Sequence, residues 1–435
     1  MIRNHKVNKV LLITYYWPPA GGPGVQRVLK FAKYLPEFGW EPVILTVENG
    51  DYPAIDQSLL IDIPPNLPIY KTQSWELFRF YRKLFSVKDD TGIPTFVLNP
   101  DQDEKVTTRL TRWLRANFFI PDARIGWVLP ARRLGLKIIQ NEKINLIWSS
   151  SPPHSLQLIA QYLAHHTGVK WVADLRDPWS EAFWQRELPQ TLPARLLNTH
   201  YEQKVLTATT AITTVSSGLQ QIFKQKTLQP CHVIPNGFDP EDFAGLPPRS
   251  KNERFTIVYT GNLGKDQSLL PFLNALQKLP EWYYSKIALH FFGDLHPQIK
   301  LELHKLPAGL ELQLESYQEH KQIINAIHQA DMLLLIIPNT PNNQGIVTGK
   351  LFEYLATGNP ILAIGPLNGD AAQIIRETGT GEMFDYTTDL SPALQNAVDN
   401  WEKNIKPNPS TSAISNYSRR NLTEKLVNVF NPVLQ

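Results

Sequence analysis

The chain has 435 residues, 42% of them hydrophobic and 19% charged, so it is long enough for two or three domains with a sizeable core. Its single cysteine, Cys231, excludes an intrachain disulfide, and no apolar run reaches the roughly 18 residues that span a bilayer. The net charge is only +3, but residues 70–137 hold thirteen Lys or Arg against seven Asp or Glu. This local basic excess favours an anionic partner such as lipid, phosphate or nucleic acid.

The first predicted unit is a strand, a glycine-rich loop and a helix. Residues 9–14 are a short apolar run, Y-Y-W-P-P-A-G-G-P-G follows, and apolar residues then recur at helical spacing from Val25 to Leu35. Open α/β sheets bind ligands at the carboxyl ends of their strands, where this loop falls. Gly22 and Gly24 would let the backbone approach a ligand closely, although a tight turn alone explains them equally well. The spacing is not G-x-G-x-x-G, which argues against a dinucleotide-dependent dehydrogenase.

A basic, aromatic region follows. Residues 106–118 predict an amphipathic helix whose apolar side chains lie beside arginines: Leu110, Trp113, Leu114 and Phe118, with Arg109, Arg112 and Arg115. This pattern is typical of a membrane-surface helix, and residues 75–85 repeat it; the alternative is a helix packed on its own domain. The D-x-D at residues 101–103 fits a metal-binding pair, but its polar surroundings favour a solvated loop.

Polar residues stand at two later strand ends. A strand at residues 144–148 leads into S-S-S-P-P-H-S, which places His154 where a helix begins. A strand at residues 169–173 ends in D-L-R-D-P-W, which contains Asp174 and Arg176. Arg176 could hold an acceptor's phosphate or hydroxyl groups, oriented by an aspartate. The alternative is an Asp–Arg network that only ties loops together.

The second half of the chain repeats the pattern of the first. A proline- and charge-rich linker at residues 240–254 precedes a strand and the turn T-G-N-L-G-K-D-Q, and further strands and helices alternate beyond it. This alternation predicts two doubly wound α/β domains. We place them at residues 1–240 and 241–410, with an amphipathic segment at 411–435 packing back on the first domain.

Residues 344–366 predict a loop, a short helix, a turn and a buried strand. Gly358 provides the helix stop, and Lys350 and Glu353 share the first helical turn. Backbone N–H groups at a helix start favour an anion, and Lys350 would add a positive charge for phosphate. Glu353 would accept hydrogen bonds from a ribose diol. A solvated Lys–Glu pair on an ordinary helix is the alternative.

The string G-K-L-F-E-Y-L-A-T-G-N-P-I-L in this segment resembles the nucleotide-sugar signature of family 4 glycosyltransferases. The strings D-L-R-D-P-W and I-P-N-G-F-D are also similar to sequences of that family. The resemblance implies the GT-B fold, in which two Rossmann-like parallel-sheet domains face a cleft. It further implies retaining transfer of a sugar from a nucleotide-diphosphate sugar to a saccharide or lipid-linked acceptor, in polysaccharide or glycoconjugate biosynthesis, without a metal or other cofactor.

The resemblance also implies roles for individual residues. The catalytic candidates are His154, Asp174 and Arg176. The donor-binding candidates are Gly22, Gly24, Asn262, Lys265, Lys350 and Glu353, with Glu353 on the ribose. Two positions depart from the family pattern: Gly345 stands where a second acidic residue is usual, and Asn262 stands where an arginine on the diphosphate is common.

Two other functions remain open at this stage. A nucleotide-sugar epimerase can share this fold, and the departures at Gly345 and Asn262 also fit a catalytically weak, nucleotide-binding scaffold. We expect a cytoplasmic chain, peripheral on the inner face of the membrane if the basic region binds anionic lipid. We expect no nucleic-acid partner.

Overall fold

The computed structural model describes residues 7–52, 54–75, 106–182, 188–264, 267–405 and 407–434. Lys265 and the D-x-D at residues 101–103 lie outside these ranges, as does most of the segment 75–85. The chain divides into two compact units, residues 1–235 with 420–435, and residues 236–419. The boundaries between the two units therefore lie at 235/236 and 419/420, whereas the sequence suggested boundaries at 240/241 and 410/411.

The first unit is built on a parallel sheet. The strands described there are Asn8–Ile13 (β1), Trp40–Val47 (β2), Ile69–Thr72 (β3), Leu146–Ser151 (β4), Lys170–Leu175 (β5), Ala211–Thr214 (β6) and Cys231–Val233 (β7). Their order is β3-β2-β1-β4-β5-β6-β7. The helices described are Pro23–Tyr34 (α1), Val106–Phe118 (α2), Val128–Glu142 (α3), Ser155–Thr167 (α4), Leu192–Ala208 (α5) and Ser217–Lys224 (α6). The predicted helix at 106–118 is confirmed.

The second unit repeats this plan. Its described strands are Phe255–Thr260 (β8), Ile287–Phe292 (β9), Glu311–Glu315 (β10), Met332–Ile336 (β11), Ile361–Ile364 (β12) and Gly381–Phe384 (β13), in the order β10-β9-β8-β11-β12-β13. Its helices are Leu270–Lys278 (α7), Pro297–Leu303 (α8), His320–Gln329 (α9), Gly349–Thr357 (α10), Asp370–Thr378 (α11), Ser391–Glu402 (α12) and Thr411–Ser415 (α13). As the sequence predicted, α10 ends at Gly358, which has φ 66.

Both sheets are buried on both faces, which explains why their strands read as unbroken apolar runs. In β1, Leu11 and Ile13 enter one core cluster, whereas Val10 and Leu12 enter another. The second unit shows the same alternation between two clusters. Each unit is therefore a doubly wound, Rossmann-like domain, as predicted. Among the helices described, none combines the length and hydropathy needed to cross a bilayer.

The single amphipathic segment predicted from residue 411 is wrong in one respect, because the structure contains two helices there, α13 and Arg419–Val433 (α14). The break has a local cause. Phe238 N donates to Tyr417 O (3.0 Å) and Phe238 O accepts from Arg419 N (2.7 Å), so the backbone at these residues pairs with another segment instead of continuing a helix. Beyond the break, α14 packs on the first unit through Leu422, Leu426 and Phe430.

We expect Phe430→Ala to destabilise the first unit, because Phe430 is fully buried with its ring centroid 5.2 Å from that of Trp40 in β2. Loss of a buried phenyl group lowers the free energy of unfolding by about 3–5 kcal/mol. Urea unfolding of the whole chain, followed by near-ultraviolet circular dichroism, measures the change. Asn428→Ala, at an exposed position of α14, is the matched control. Equal midpoints for the two variants would mean that α14 adds nothing to this core.

Candidate functional site

Both units place their candidate residues at the same topological position. In each strand order the direction of winding reverses beside the first strand of the unit, between β1 and β4 and between β8 and β11. Ligands of open α/β sheets bind where strands end at such a reversal. Gly22, Gly24 and His154 follow β1 and β4, whereas Gly261 and Lys350 follow β8 and β11. Each unit therefore has its own candidate site.

The loop after β1 needs two of its glycines for different reasons. Gly22 precedes α1 with φ 105, a backbone conformation that other residues rarely adopt. Gly24 leaves room for a neighbour, because a Cβ built there would collide with Nη1 of Arg176. The start of α1 and the guanidinium of Arg176 are thus in direct contact. The positive guanidinium favours an anion at this helix start, although the N–H groups of Val25 and Gln26 already donate to Gly22 O.

Arg176 is held by backbone carbonyls. Its Nε donates to Ser151 O (3.0 Å) and its Nη2 donates to Pro152 O (3.1 Å). Burial lowers its pKa, although Asp174 and Asp177 act in the opposite direction. No carboxylate of the described residues forms an ion pair with Arg176. Its positive charge is therefore oriented by the protein but not neutralised by a direct contact.

Asp174 does not pair with Arg176, contrary to the expectation that this aspartate orients it. Asp174 is fully buried and binds Arg27, whose Nε and Nη2 donate to its two carboxylate oxygens at 3.0 and 2.7 Å. Ser150 Oγ (2.6 Å) and Thr213 Oγ1 (2.7 Å) also donate to these oxygens. The carboxylate is thus saturated and has no exposed atom. The structure makes Asp174 a support of the site, as in the alternative interpretation of the sequence.

His154 lies immediately before α4 and has a different environment. Its ring stacks on Trp179, with centroids 4.4 Å apart and planes inclined by 14°. Burial, with a contribution from Arg176, lowers its pKa to about 3. The imidazole is therefore neutral at physiological pH. Its Nδ1 is buried without a hydrogen-bond partner among the residues that the structure describes, which is costly for a polar atom unless a ligand supplies one.

Lys350 occupies the glycine turn of the second unit. A Cβ on Gly261, which has φ 94, would lie 2.9 Å from Lys350 Nζ. Nζ donates to Tyr259 Oη (2.7 Å) and lies 4.2 Å from the centre of the same ring. Burial lowers the pKa of Lys350 to about 7, although Glu353 raises it. Among the described residues no carboxylate forms an ion pair with this amine, so a bound anion would restore its full charge.

Glu353 has a partner that the sequence did not suggest. Its Oε1 lies 3.1 Å from Nε2 of His320, the first residue of α9. Both side chains are partly buried, with 18% and 13% exposed. Glu353 and Lys350 therefore do not form the solvated pair considered above. One carboxylate oxygen is bound by His320, and Oε2 remains for a further donor.

Asn262 contributes to the turn rather than replacing the missing cation. Its Oδ1 accepts from Asp294 N (3.0 Å), and its backbone O accepts from Tyr259 Oη (3.1 Å). Because Tyr259 Oη donates to Asn262, it presents a lone pair to Lys350. The structure thus brings Asn262, Lys350 and Glu353 to one end of the second sheet. Lys265, the other expected cation, lies outside the described residues.

Several neighbours of these residues were not anticipated. They are Arg27, Trp179, Tyr259 and His320, each of which contacts a predicted site residue. Two of them left a usable signal, since Tyr259 directly precedes the glycine turn at the end of a predicted strand and Trp179 ends the string D-L-R-D-P-W. Two threonines of the loop before α10 were also missed. Thr340 and Thr348 each have a buried hydroxyl oxygen without a hydrogen-bond partner among the described atoms.

Comparison with solved structures defines the class of fold. The chain aligns with Anabaena HepE, crystallised with UDP-glucose, at a TM-score of 0.63 and 12% identity, covering 98% of this chain and 99% of HepE. Sucrose-phosphate synthase of Thermosynechococcus elongatus gives the same four values. A glycosyltransferase of Rickettsia africae aligns at 0.61 and 14% identity over 99% of this chain and 100% of that one. The fold of the chain is GT-B, as the resemblance implied.

The amino-acid sequence supports a narrower assignment for part of the chain. Residues 89–242 match the family model described as Glycosyltransferase Family 4. The match covers about a third of the chain. It falls almost wholly in the first unit and includes His154, Asp174 and Arg176. No protein of curated function matches the sequence. A segment of the chain is thus similar to family 4 glycosyltransferases, and the chain as a whole has the GT-B fold.

We expect Asp174→Asn to lower the free energy of unfolding by about 3–5 kcal/mol, because it leaves the Arg27 guanidinium buried without a counter-charge. Urea unfolding measures the loss. The double variant Arg27→Met, Asp174→Leu removes both charges and should recover most of the lost stability. If Asp174→Asn unfolded at the wild-type urea concentration, the supporting role given to this carboxylate would be wrong.

Proposed function

We propose that the chain is a glycosyltransferase that moves a sugar from a nucleoside diphosphate sugar to a saccharide or lipid-linked acceptor. The observation that carries this proposal is the environment of Lys350. Its amine is buried in a glycine turn at the reversal point of the second sheet, in the first turn of α10, and no described carboxylate forms an ion pair with it. Such a position suits a diphosphate. The family 4 match and the GT-B fold support a sugar donor as the source of that diphosphate.

In this proposal Lys350 assists the leaving group. When the bond to the anomeric carbon breaks, negative charge accumulates on the diphosphate that departs. A protonated Lys350 and the first N–H groups of α10 would stabilise this charge, and their positions are set before the reaction begins. Thr348, the residue before α10, would direct its unpaired hydroxyl to a phosphate oxygen. Positive charge from the protein would then suffice without a metal ion, as the family resemblance implies.

Glu353 would recognise the nucleoside. A carboxylate that accepts hydrogen bonds from both ribose hydroxyls must be held in one orientation, and His320 restrains Glu353 through Oε1. Oε2 would then accept from the ribose. The hydroxyl of Thr340 would add a polar contact in the loop where Gly345 replaces the acidic residue that is usual in the family. Asn262 would act indirectly, since it orients Tyr259 toward Lys350.

The residues of the first unit would act on uncharged and anionic groups of the ligands. His154 is neutral at physiological pH, so its unpaired Nδ1 would exchange a hydrogen bond with a sugar hydroxyl rather than donate a proton as an acid. Arg176 and the backbone of Gly22 and Gly24 would bind phosphate or hydroxyl groups of donor or acceptor. Retention at the anomeric carbon belongs to the same proposal and rests on the family resemblance.

A transfer assay with labelled sugars tests the activity. HepE was solved with UDP-glucose, so uridine diphosphate sugars are the first donors to test, followed by other bases, with saccharides and membrane lipid extracts as acceptors. We expect label to move to an acceptor and Lys350→Ala to reduce transfer at least tenfold, because diphosphate departure loses a charged hydrogen bond. Lys305→Ala, an exposed lysine of the same unit without an ion pair among the described residues, is the matched control.

The products of this assay separate the alternatives. An isomerised nucleotide sugar formed without any acceptor would identify an epimerase. A nucleotide sugar that binds but is never consumed, with any acceptor, would identify a catalytically weak scaffold. If no nucleoside diphosphate sugar bound at all, the proposed function would be wrong.

Donor affinity should also depend on pH in a direction set by Lys350. Its pKa is about 7 in the unliganded chain, and a bound diphosphate raises it, so binding above that pH requires uptake of a proton. Affinity for UDP-glucose, whose diphosphate does not titrate near neutrality, should therefore fall by up to about tenfold per pH unit above about pH 7. Calorimetry measures it. Lys350→Arg remains protonated and should show a nearly flat profile; a slope unchanged from wild type would assign the effect to another group.

A further inference from the structure

Six large apolar side chains are exposed on two neighbouring helices of the first unit. Between 39% and 69% of each side chain is accessible to solvent, and they belong to α2 and to the first turns of α5. They are Leu110, Trp113, Phe118, Leu192, Leu196 and Leu197. The buried residues of the same helices, such as Ala116 and Ala194, show that each helix packs on the domain through its other side.

Asn117, near the end of α2, joins this helix to the start of α5. Its Oδ1 accepts from N and Oγ1 of Thr191, both at 2.7 Å, and its Nδ2 donates to Pro189 O (2.9 Å). Phe118 directly follows Asn117, and Leu192 directly follows Thr191. The end of α2 is therefore fastened to the start of α5. We call the exposed apolar residues of these two joined helices the α2–α5 face.

Among the described residues of α2 and α5, the exposed charged side chains are all positive. Arg109 and Arg195 are exposed among its apolar residues. There is no Asp or Glu in α2, and the only one in α5, Glu202, is 2% exposed and bonded to Lys226 and Ser180. Aromatic and aliphatic side chains flanked by arginines are the combination found where helices lie on anionic lipid.

We propose that the α2–α5 face docks the chain on the surface of an anionic lipid bilayer. Trp113, Phe118 and the leucines would enter the headgroup region while the arginines remain with the phosphates. A second copy of the chain fits less well, because a two-fold interface would bring the arginines of one copy against those of the other. A nucleic acid fits less well, because its backbone offers no apolar surface for six such side chains. The inference does not depend on the proposed activity, since it concerns adsorption alone.

Vesicle sedimentation tests the proposal with the whole chain. We expect substantial binding to phosphatidylcholine vesicles that contain phosphatidylglycerol, and at least tenfold weaker binding to phosphatidylcholine alone. The variant Arg109→Gln, Arg195→Gln should lose most of the preference for the anionic vesicles. The variant Trp113→Ser, Phe118→Ser should lose binding at least tenfold. Leu228→Ser and Leu301→Ser, which remove exposed apolar side chains elsewhere, are the controls and should bind as wild type does.

Fluorescence quenching of Trp113 measures whether the α2–α5 face enters the lipid. Lipids brominated on their acyl chains should quench part of the tryptophan fluorescence of the wild-type chain, and Trp113→Phe should bind equally well but lose this quenching. The proposal is overturned if the wild-type chain does not sediment with anionic vesicles, or if the Trp113→Ser, Phe118→Ser variant binds them unchanged. It is also overturned if light scattering shows a dimer that this variant dissociates, because the face would then be a subunit interface.

Discussion

The first unit depends on the ion pair between Arg27 and Asp174. Neither side chain has exposed area, and a buried charge without its partner costs several kcal/mol, so each residue requires the other. The pair also connects separate parts of the fold, since Asp174 accepts from β4 and β6 and Arg27 donates to the carbonyls of Ile234 and Pro235. The loops after β4 and β5 begin at strands that this ion pair connects, and the loop after β1 leads into α1, which carries Arg27. The positions of Gly24, His154 and Arg176 therefore follow from an interaction in which none of them takes part.

The six strands of the second unit follow the same order as the first six strands of the first unit, but its buried cation has different surroundings. Lys350 is surrounded by the hydroxyl and ring of Tyr259 and by a glycine turn, and burial lowers its pKa although Glu353 raises it. Among the described residues no carboxylate forms an ion pair with this amine. A structural lysine in such a place would be expected to carry a partner, as Lys30 does with Asp62 at 2.9 Å. The two units thus place a buried cation in different surroundings: Arg27 is paired with a carboxylate, whereas Lys350 has no ion pair among the described residues.

Elements with a strong local pattern could be predicted, including α2, α10 with its stop at Gly358, and the apolar strands. The candidate residues at strand ends followed from topology, because parallel strands bring their carboxyl ends together. Contacts between distant residues could not be predicted. Periodicity assigns Arg27 to solvent, because it lies on the side of α1 opposite Val25 and Leu29, yet Arg27 is fully buried. Nothing in the sequence couples Glu353 to a histidine 33 positions away. Strand β13 was missed because its first residue is Gly381, which is needed where the backbone approaches Ile361.

The discontinuous first unit has a consequence for the order of folding. Domains usually fold from the amino terminus as the chain leaves the ribosome. Here the core around Trp40 and Trp148 includes Leu422, Leu426 and Phe430, which are synthesised after the whole second unit. The second unit can close its own core while the first still exposes the apolar surface that α14 will cover. During synthesis the amino-terminal half is therefore the later of the two to mature, and its uncovered surface is where a chaperone would be needed.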